Sequence, residues 1–257
     1  MAETKPTLLF VHGAWHVPST YTKFTNALKA LGYEVHTPRL PSMNGSRPPN
    51  ADLYTDTDFI RSYAESLVNA NRIVIAIMHS YGGHVGTGAF YGLGLRSRSE
   101  KGLPGGVSQL IYLAAFAQPE GLTAVDLVKQ FDREHLIPLA HDSAEDGTCV
   151  HRNPKLALIG EGFDDGAEVE EYLATLVRWN ETTMYQPVKQ CAWKEIPVVY
   201  IHCTQDMTVP YDSQQSMVKV MEEQGANVKT VILETGHCPN LTMLEGTIDA
   251  IKNNLAA

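Results

Sequence analysis

Short, almost wholly apolar runs alternate along this chain with longer segments in which apolar residues recur every three or four positions. Six runs, Thr7–Val11, Tyr33–Thr37, Arg72–Ile77, Ser108–Ala114, Pro197–Cys203 and Val228–Leu233, are too brief for helices and are mostly apolar on both parities. That pattern predicts strands covered on both faces, as in a parallel sheet. Helical spacing runs through Tyr21–Leu31, Asp58–Ala70, Tyr81–Tyr91, Asp212–Gln224 and Leu241–Leu255, and Gly32 and Gly225 stand where C-terminal caps would stop two of these helices. Strand and helix therefore alternate, the rhythm of an α/β fold.

The rhythm breaks between Ala114 and Pro197, where helical patches at Leu122–Phe131 and Glu168–Arg178 flank a Gly/Asp-rich link, Gly160–Gly166, and no strand is evident. Such a segment predicts a helical insertion with a turn at the link. The expected organisation is a core in two parts, residues 1–116 and 195–257, separated by a cap over residues 117–194. Leu40–Asn50, with prolines at 41, 48 and 49, reads as a loop.

Composition narrows the function classes. The 257 residues are 44% hydrophobic and 19% charged, ordinary for a globular chain. A net charge of −9 disfavours nucleic acid or an anionic membrane surface as partner, since phosphate recognition needs a cationic face. Small neutral molecules are the expected ligands, with the chain monomeric or homodimeric. Cys149, Cys191, Cys203 and Cys238 form no C-x-x-C pair, so neither a zinc knuckle nor a redox motif is indicated, and scattered thiols suit the cytosol. Met1–Pro6 lacks the apolar stretch of a secretion signal, and the longest aliphatic run, Ile73–Met78, is far shorter than the roughly 20 residues of a membrane span. The N-x-S/T triplets at Asn44, Asn180 and Asn240 read as fortuitous.

The candidate chemistry clusters at strand ends. Arg72–Ile77 runs into Met78-His79-Ser80-Tyr81-Gly82-Gly83 and then a helical stretch, the strand–turn–helix context in which a serine hydroxyl is presented by a sharp turn. Met78 stands where a glycine would complete the G-x-S-x-G pattern, so a small neighbour such as Gly86, or a backbone shift, must relieve crowding. Ser80 also reads as an N-cap of the helix that follows. A serine nucleophile needs a base, and the base an acid to orient it. Asp206 lies just beyond Pro197–Cys203, with Asp212 as a nearby rival, and His237 just beyond Val228–Leu233. Open α/β sheets gather ligands at these strand C-termini. The turn after the first strand, Phe10–His16, offers the backbone N–H of Ala14, and the elbow that of Tyr81, as oxyanion donors; His12 reads as a structural ring. Trp15, Tyr81 and Phe116 are the candidate substrate contacts. The remaining histidines, His141 and His151 among them, show no i, i+4 or carboxylate-paired arrangement, so neither a metal nor a cofactor is expected.

In Phe10–Ala14, His79–Gly83, Val199–Asp206 and Gly236-His237, with the order Ser80, Asp206, His237, the sequence resembles the α/β-hydrolase superfamily. The likeness is to the compact branch of plant methylesterases, hydroxynitrile lyases and related fungal hydrolases of small metabolites. It implies the α/β-hydrolase fold: a mainly parallel six-stranded sheet, helices on both faces, and a helical cap insertion. It further implies a serine esterase or lactonase working through an acyl-enzyme. Lyases of that branch carry a threonine where Gly13 stands and a lysine where Cys238 stands, and the lysine's charge holds departing cyanide, so hydrolysis is the favoured chemistry. The same triad used for carbon–carbon cleavage, cyclisation or acyl transfer, and a slow-hydrolysing ligand receptor, are the alternatives.

Overall fold

The computed structural model describes residues 5–163 and 166–255. Met1–Thr4, and Asp164 and Asp165 of the Gly160–Gly166 link, lie outside the described residues. In chain order the elements are β1 (Thr7–Val11), α1 (Thr22–Ala30), β2 (Val35–His36), α2 (Leu53–Asn69), β3 (Ile73–His79), α3 (Tyr81–Ala89), α4 (Leu95–Glu100) and β4 (Gly106–Leu113). There follow α5 (Ala124–Gln130), α6 (Ile137–Ala140), β5 (His141–Ser143), β6 (Thr148–His151), α7 (Gly166–Ala174), β7 (Trp179–Asn180), β8 (Val198–Cys203), α8 (Tyr211–Glu223), β9 (Val228–Leu233), α9 (Pro239–Thr242) and α10 (Leu244–Lys252).

Six strands form one parallel sheet in the order β2-β1-β3-β4-β8-β9. These are the six runs that the apolar pattern marks out. Because successive side chains of a strand point to opposite faces, the alternation divides the core in two. Leu9, Val11, Val74, Ala76, Met78, Leu110 and Tyr112 pack with Ile60, Ala64 and Val68 of α2, Val85 of α3 and Met217 and Met221 of α8. Leu8, Phe10, Ile75, Ile77, Ile111 and Leu113 pack on the other side with Phe24 and Leu28 of α1 and Ile251 of α10. Each fully buried Val, Leu, Ile, Phe or Met among them contributes about 1.5–3 kcal/mol of transfer free energy, so both helical layers are held by the sheet itself.

The periphery departs from the expected pattern. β2 shrinks to two residues, and β9, last in the sheet order, leaves Ile232 56% exposed, because an edge strand has a neighbour on one side alone. α4 arises from the polar stretch LRSRSE, which carries little amphipathic signal. The larger correction concerns residues 117–194: besides α5, α6 and α7, the segment holds a three-stranded antiparallel sheet in the order β5-β6-β7. Its strands have three, four and two residues, too few for alternation to register in the sequence. No helix among the described residues is long and apolar enough to cross a membrane.

Candidate active site

The C-terminal ends of β1, β3, β8 and β9 converge on one point. At the end of β3 the chain reverses into α3 through Ser80, whose φ of 53° and ψ of −123° lie outside the regions open to ordinary residues at low energy. Strain of this kind costs roughly 1–3 kcal/mol and persists only where the surroundings enforce it. Here the enforcement is close packing. A Cβ on Gly82 would lie 2.7 Å from the His12 carbonyl oxygen, so only glycine lets the start of α3 seat against the end of β1. Met78, which takes the place of the motif's first glycine, is fully buried, and its side chain fills the space that a Cβ on Gly86 would need. The crowding is thus relieved at Gly86, within α3. Although Ser80 sits at the N-cap position, its hydroxyl makes no capping bond.

That hydroxyl instead donates to His237 Nε2 at 2.8 Å, while His237 Nδ1–H donates to Asp206 Oδ2 at 2.7 Å. The His237 and Asp206 side chains are 1% and 0% exposed. Asp212, the rival carboxylate, is taken up by Arg133 at 2.6 Å on the surface. Asp206 is held in turn: Oδ1 accepts the backbone N–H groups of Thr208 and Val209, both at 2.8 Å, and Oδ2 also accepts Gln214 Nε2 at 3.2 Å. Buried Gln214, on α8, further binds both backbone groups of Cys203 and the Val209 carbonyl, pinning the loop that carries Asp206. Nothing in a lone glutamine marked this role in the sequence.

A second chain of bonds ties the base to the turn after β1. His79 Nε2–H donates to the His237 carbonyl at 2.8 Å, and its Nδ1 accepts the Tyr21 hydroxyl at 2.7 Å. Tyr21 oxygen accepts the Gly13 N–H at 3.3 Å. Burial, and then the neighbouring His237 ring, push His79 well below the usual imidazole range, so the ring is neutral and its tautomer is set. In the same turn, His12 bridges the Gly13 carbonyl and the Leu40 N–H, and burial lowers it to about 4, a structural ring as expected. His16 donates to the Ala14 carbonyl at 2.5 Å and accepts the Tyr172 hydroxyl of α7 at 2.9 Å; burial lowers it to about 3.

Among the described residues, the backbone N–H groups of Ala14 and Tyr81 have no hydrogen-bond partner, although both residues are buried. Buried backbone donors are rarely left unpaired, and two flanking one serine hydroxyl are available to a ligand oxygen. Trp15, beside Ala14, has φ of 63°, a second strained position in the same turn. The Tyr81 side chain is anchored away from the serine: its hydroxyl donates to Asp56 Oδ2 at 2.8 Å, and Asp56 also accepts the Ser42 N–H at 2.8 Å and the Ser42 hydroxyl at 2.5 Å. Asp56 is fully buried, and desolvation raises its carboxyl to about 6.

Above Ser80 opens a cavity of about 150 Å³. Trp15, Tyr81 and Phe116 all line it, with Leu136, Ile137 and Trp179 from residues 117–194. His141 and His151 line it as well. The expectation that no histidine is carboxylate-paired is corrected here, since His141 Nδ1 lies 2.9 Å from Glu181 Oε1, a partner 40 residues away in the chain that no local spacing reveals. Cys149 lies in the same cluster, its ligating atom within 4.8 Å of theirs, and burial pushes its thiol up to about 12.

The sequence model of the alpha/beta hydrolase family matches residues 8–250 of this chain. The alpha/beta hydrolase nvfD of Aspergillus novofumigatus is 30% identical over 262 residues, covering 97% of this chain and 96% of its own. The probable hydrolase R7 of a Phoma species is 28% identical over 250 residues, covering 96% and 97%. A pyrethroid hydrolase of Sphingobium wenxiniae is 25% identical over 253 residues, covering 95% and 85%. Among solved structures, a pyrethroid hydrolase superposes with a TM-score of 0.74 at 22% identity over 97% of each chain. An Arabidopsis methylesterase does so with 0.71 at 18% over 97% and 100% of the two chains. At these identities the structural likeness establishes the fold.

Proposed function

The chain belongs to the alpha/beta hydrolase family, and from that premise we propose that it is a serine carboxylic ester hydrolase acting on a small, largely apolar ester or lactone. The observation that carries this reading is the continuous relay Ser80–His237–Asp206, with bonds of 2.8 and 2.7 Å, lying under an apolar cavity beside two unpaired N–H donors.

Ser80 Oγ attacks the acyl carbon as its proton passes to His237 Nε2. Asp206 holds Nδ1–H and stabilises the imidazolium that forms. Negative charge gathers on the former carbonyl oxygen, where the Ala14 and Tyr81 N–H groups receive it; one such donor is worth about 3–4 kcal/mol in the transition state. The tetrahedral intermediate collapses, His237 returns the proton to the departing alkoxide, and the acyl group remains on Ser80. Water, deprotonated by the same His237, then releases the acid and restores the serine. The neutral, fixed rings of His79 and His12 near the base leave His237 as the proton acceptor the serine touches.

Two features favour hydrolysis over cyanohydrin cleavage. Cys238 follows His237 where the lyases carry a lysine, and it packs into an apolar cluster with Leu158 and Tyr172, with burial lifting its thiol to about 12, so no cation stands by a leaving cyanide. A Cβ on Gly13 would lie 3.1 Å from Ser80 Cβ, which leaves little room for a threonine. The test is p-nitrophenol release from acetate to octanoate esters by the wild type and Ser80→Ala. Wild-type turnover with a loss of at least about 10⁴-fold in the variant is expected; equal rates in the two proteins would overturn the reading.

A further inference from the structure

We propose that His141 and His151 form a hydroxyl-recognition subsite in the wall of the cavity, binding an alcohol or phenol O–H that the substrate carries away from its scissile ester. The position of the substrate in this cavity rests on the esterase reading above. The two residues sit directly opposite one another in the β5–β6 pairing, their ring centroids 5.9 Å apart, and the Trp15 ring packs edge-on against both, at 5.1 and 5.5 Å. Both line the cavity that contains Ser80.

Their tautomers are opposite, and each is set by its own partner. A carboxylate oxygen accepts, so at 2.9 Å from Glu181 Oε1 the hydrogen sits on His141 Nδ1, and in the neutral ring Nε2 keeps its lone pair. His151 Nδ1 accepts the Asn153 N–H at 3.3 Å, which places the ring hydrogen on Nε2. Burial lowers His151 to about 4, in keeping with a neutral ring. Among the described residues neither Nε2 has a partner. The wall thus presents one acceptor beside one donor. A hydroxyl oxygen satisfies both, because it donates and accepts through the same atom. A ketone or ether can use only the His151 N–H, a carboxylate is repelled by the His141 lone pair, and an ammonium finds no use for the His151 donor. Leu136, Ile137, Trp179 and Phe116 supply an apolar bed around the pair, while the other polar side chains of the wall are engaged elsewhere, Arg133 with Asp212 and Ser213, and Thr208 with the Ala157 carbonyl.

The test compares methyl 3-phenylpropanoates carrying H, OH or OCH3 at the meta or para ring position. In the wild type, kcat/KM for the OH compound is expected to exceed that for H and OCH3 at least about tenfold at one ring position, the effect of one well-made hydrogen bond. In His141→Phe that ratio falls to near one, and in Glu181→Gln, which keeps the side-chain shape, it falls part of the way. A ratio cancels any general loss of activity in a variant. The same preference is read without turnover, from quenching of tryptophan fluorescence in the Ser80→Ala protein by 3-(hydroxyphenyl)propanol and 3-(methoxyphenyl)propanol. This binding arm separates the subsite from the serine chemistry. A hydroxyl preference that is absent at every ring position in the wild type, or that survives in both His141→Phe and Glu181→Gln, overturns the proposal.

Discussion

The floor and the wall of the cavity are built on opposite terms. On the floor, at the ends of β3, β8 and β9, nearly every polar atom near Ser80 is committed: Asp206 to His237, two backbone N–H groups and Gln214, and His79 to Tyr21 and the His237 carbonyl. Among the described residues the backbone N–H donors of Ala14 and Tyr81 have no partner, and in the proposed mechanism they receive the developing charge. In the wall, on the short strands β5 and β6, the outward nitrogens of His141 and His151 are unspent. On the proposed reading, the floor is preorganised for one reaction and the wall selects what enters.

That contrast can be broken from the floor upward. Asp206→Asn keeps the side-chain shape but favours the wrong His237 tautomer, and a fall in kcat of about 10³–10⁴-fold is expected on any ester the wild type accepts. A loss confined to some esters would mean that the floor also selects substrates. Next in size is a stability effect. Desolvation raises the Asp56 carboxyl to about 6 in the folded state, above its ordinary range near 4 when unfolded, so the folded chain holds this proton more tightly. The contribution is complete below about pH 4 and is lost as pH rises through about 6, on the order of 2–3 kcal/mol. Urea unfolding of the wild type and Asp56→Asn should therefore diverge in the variant's favour from pH 4 to pH 7; parallel stability curves would show the carboxylate to be fully compensated by Ser42 and Tyr81. Smaller still, His79→Leu removes the bond to the His237 carbonyl while leaving the triad atoms in place. A kcat reduced about 10–100-fold at little change in KM is expected, in line with one lost charge-orienting hydrogen bond. A KM effect of that size in its place would put His79 in contact with substrate.

The same division explains what the sequence discloses. Strands buried on both faces declare themselves as apolar runs, and residues at their C-terminal ends fall together whenever the sheet is parallel, so Ser80, Asp206 and His237 could be read in order from a linear chain. Met78 and Gly86 were legible as a size compensation, since the strand–turn–helix pattern folds the start of α3 back toward the end of β3. The polar supports were not. Asp56 sits in an amphipathic helix where a lone acid looks solvated, Gln214 has no motif, and Glu181 meets His141 across 40 residues of chain. β7 has two residues, below any period that a pattern can show. Long-range pairings between single polar residues leave no local signature, and the wall is made of little else.

Acylation of Ser80 is read from the mass of the protein quenched within milliseconds of mixing with p-nitrophenyl acetate. One added acetyl group is expected, mapped by peptide sequencing to Ser80 and absent from Ser80→Ala. Steady p-nitrophenol release with no acyl adduct, or with the adduct on another residue, would contradict it.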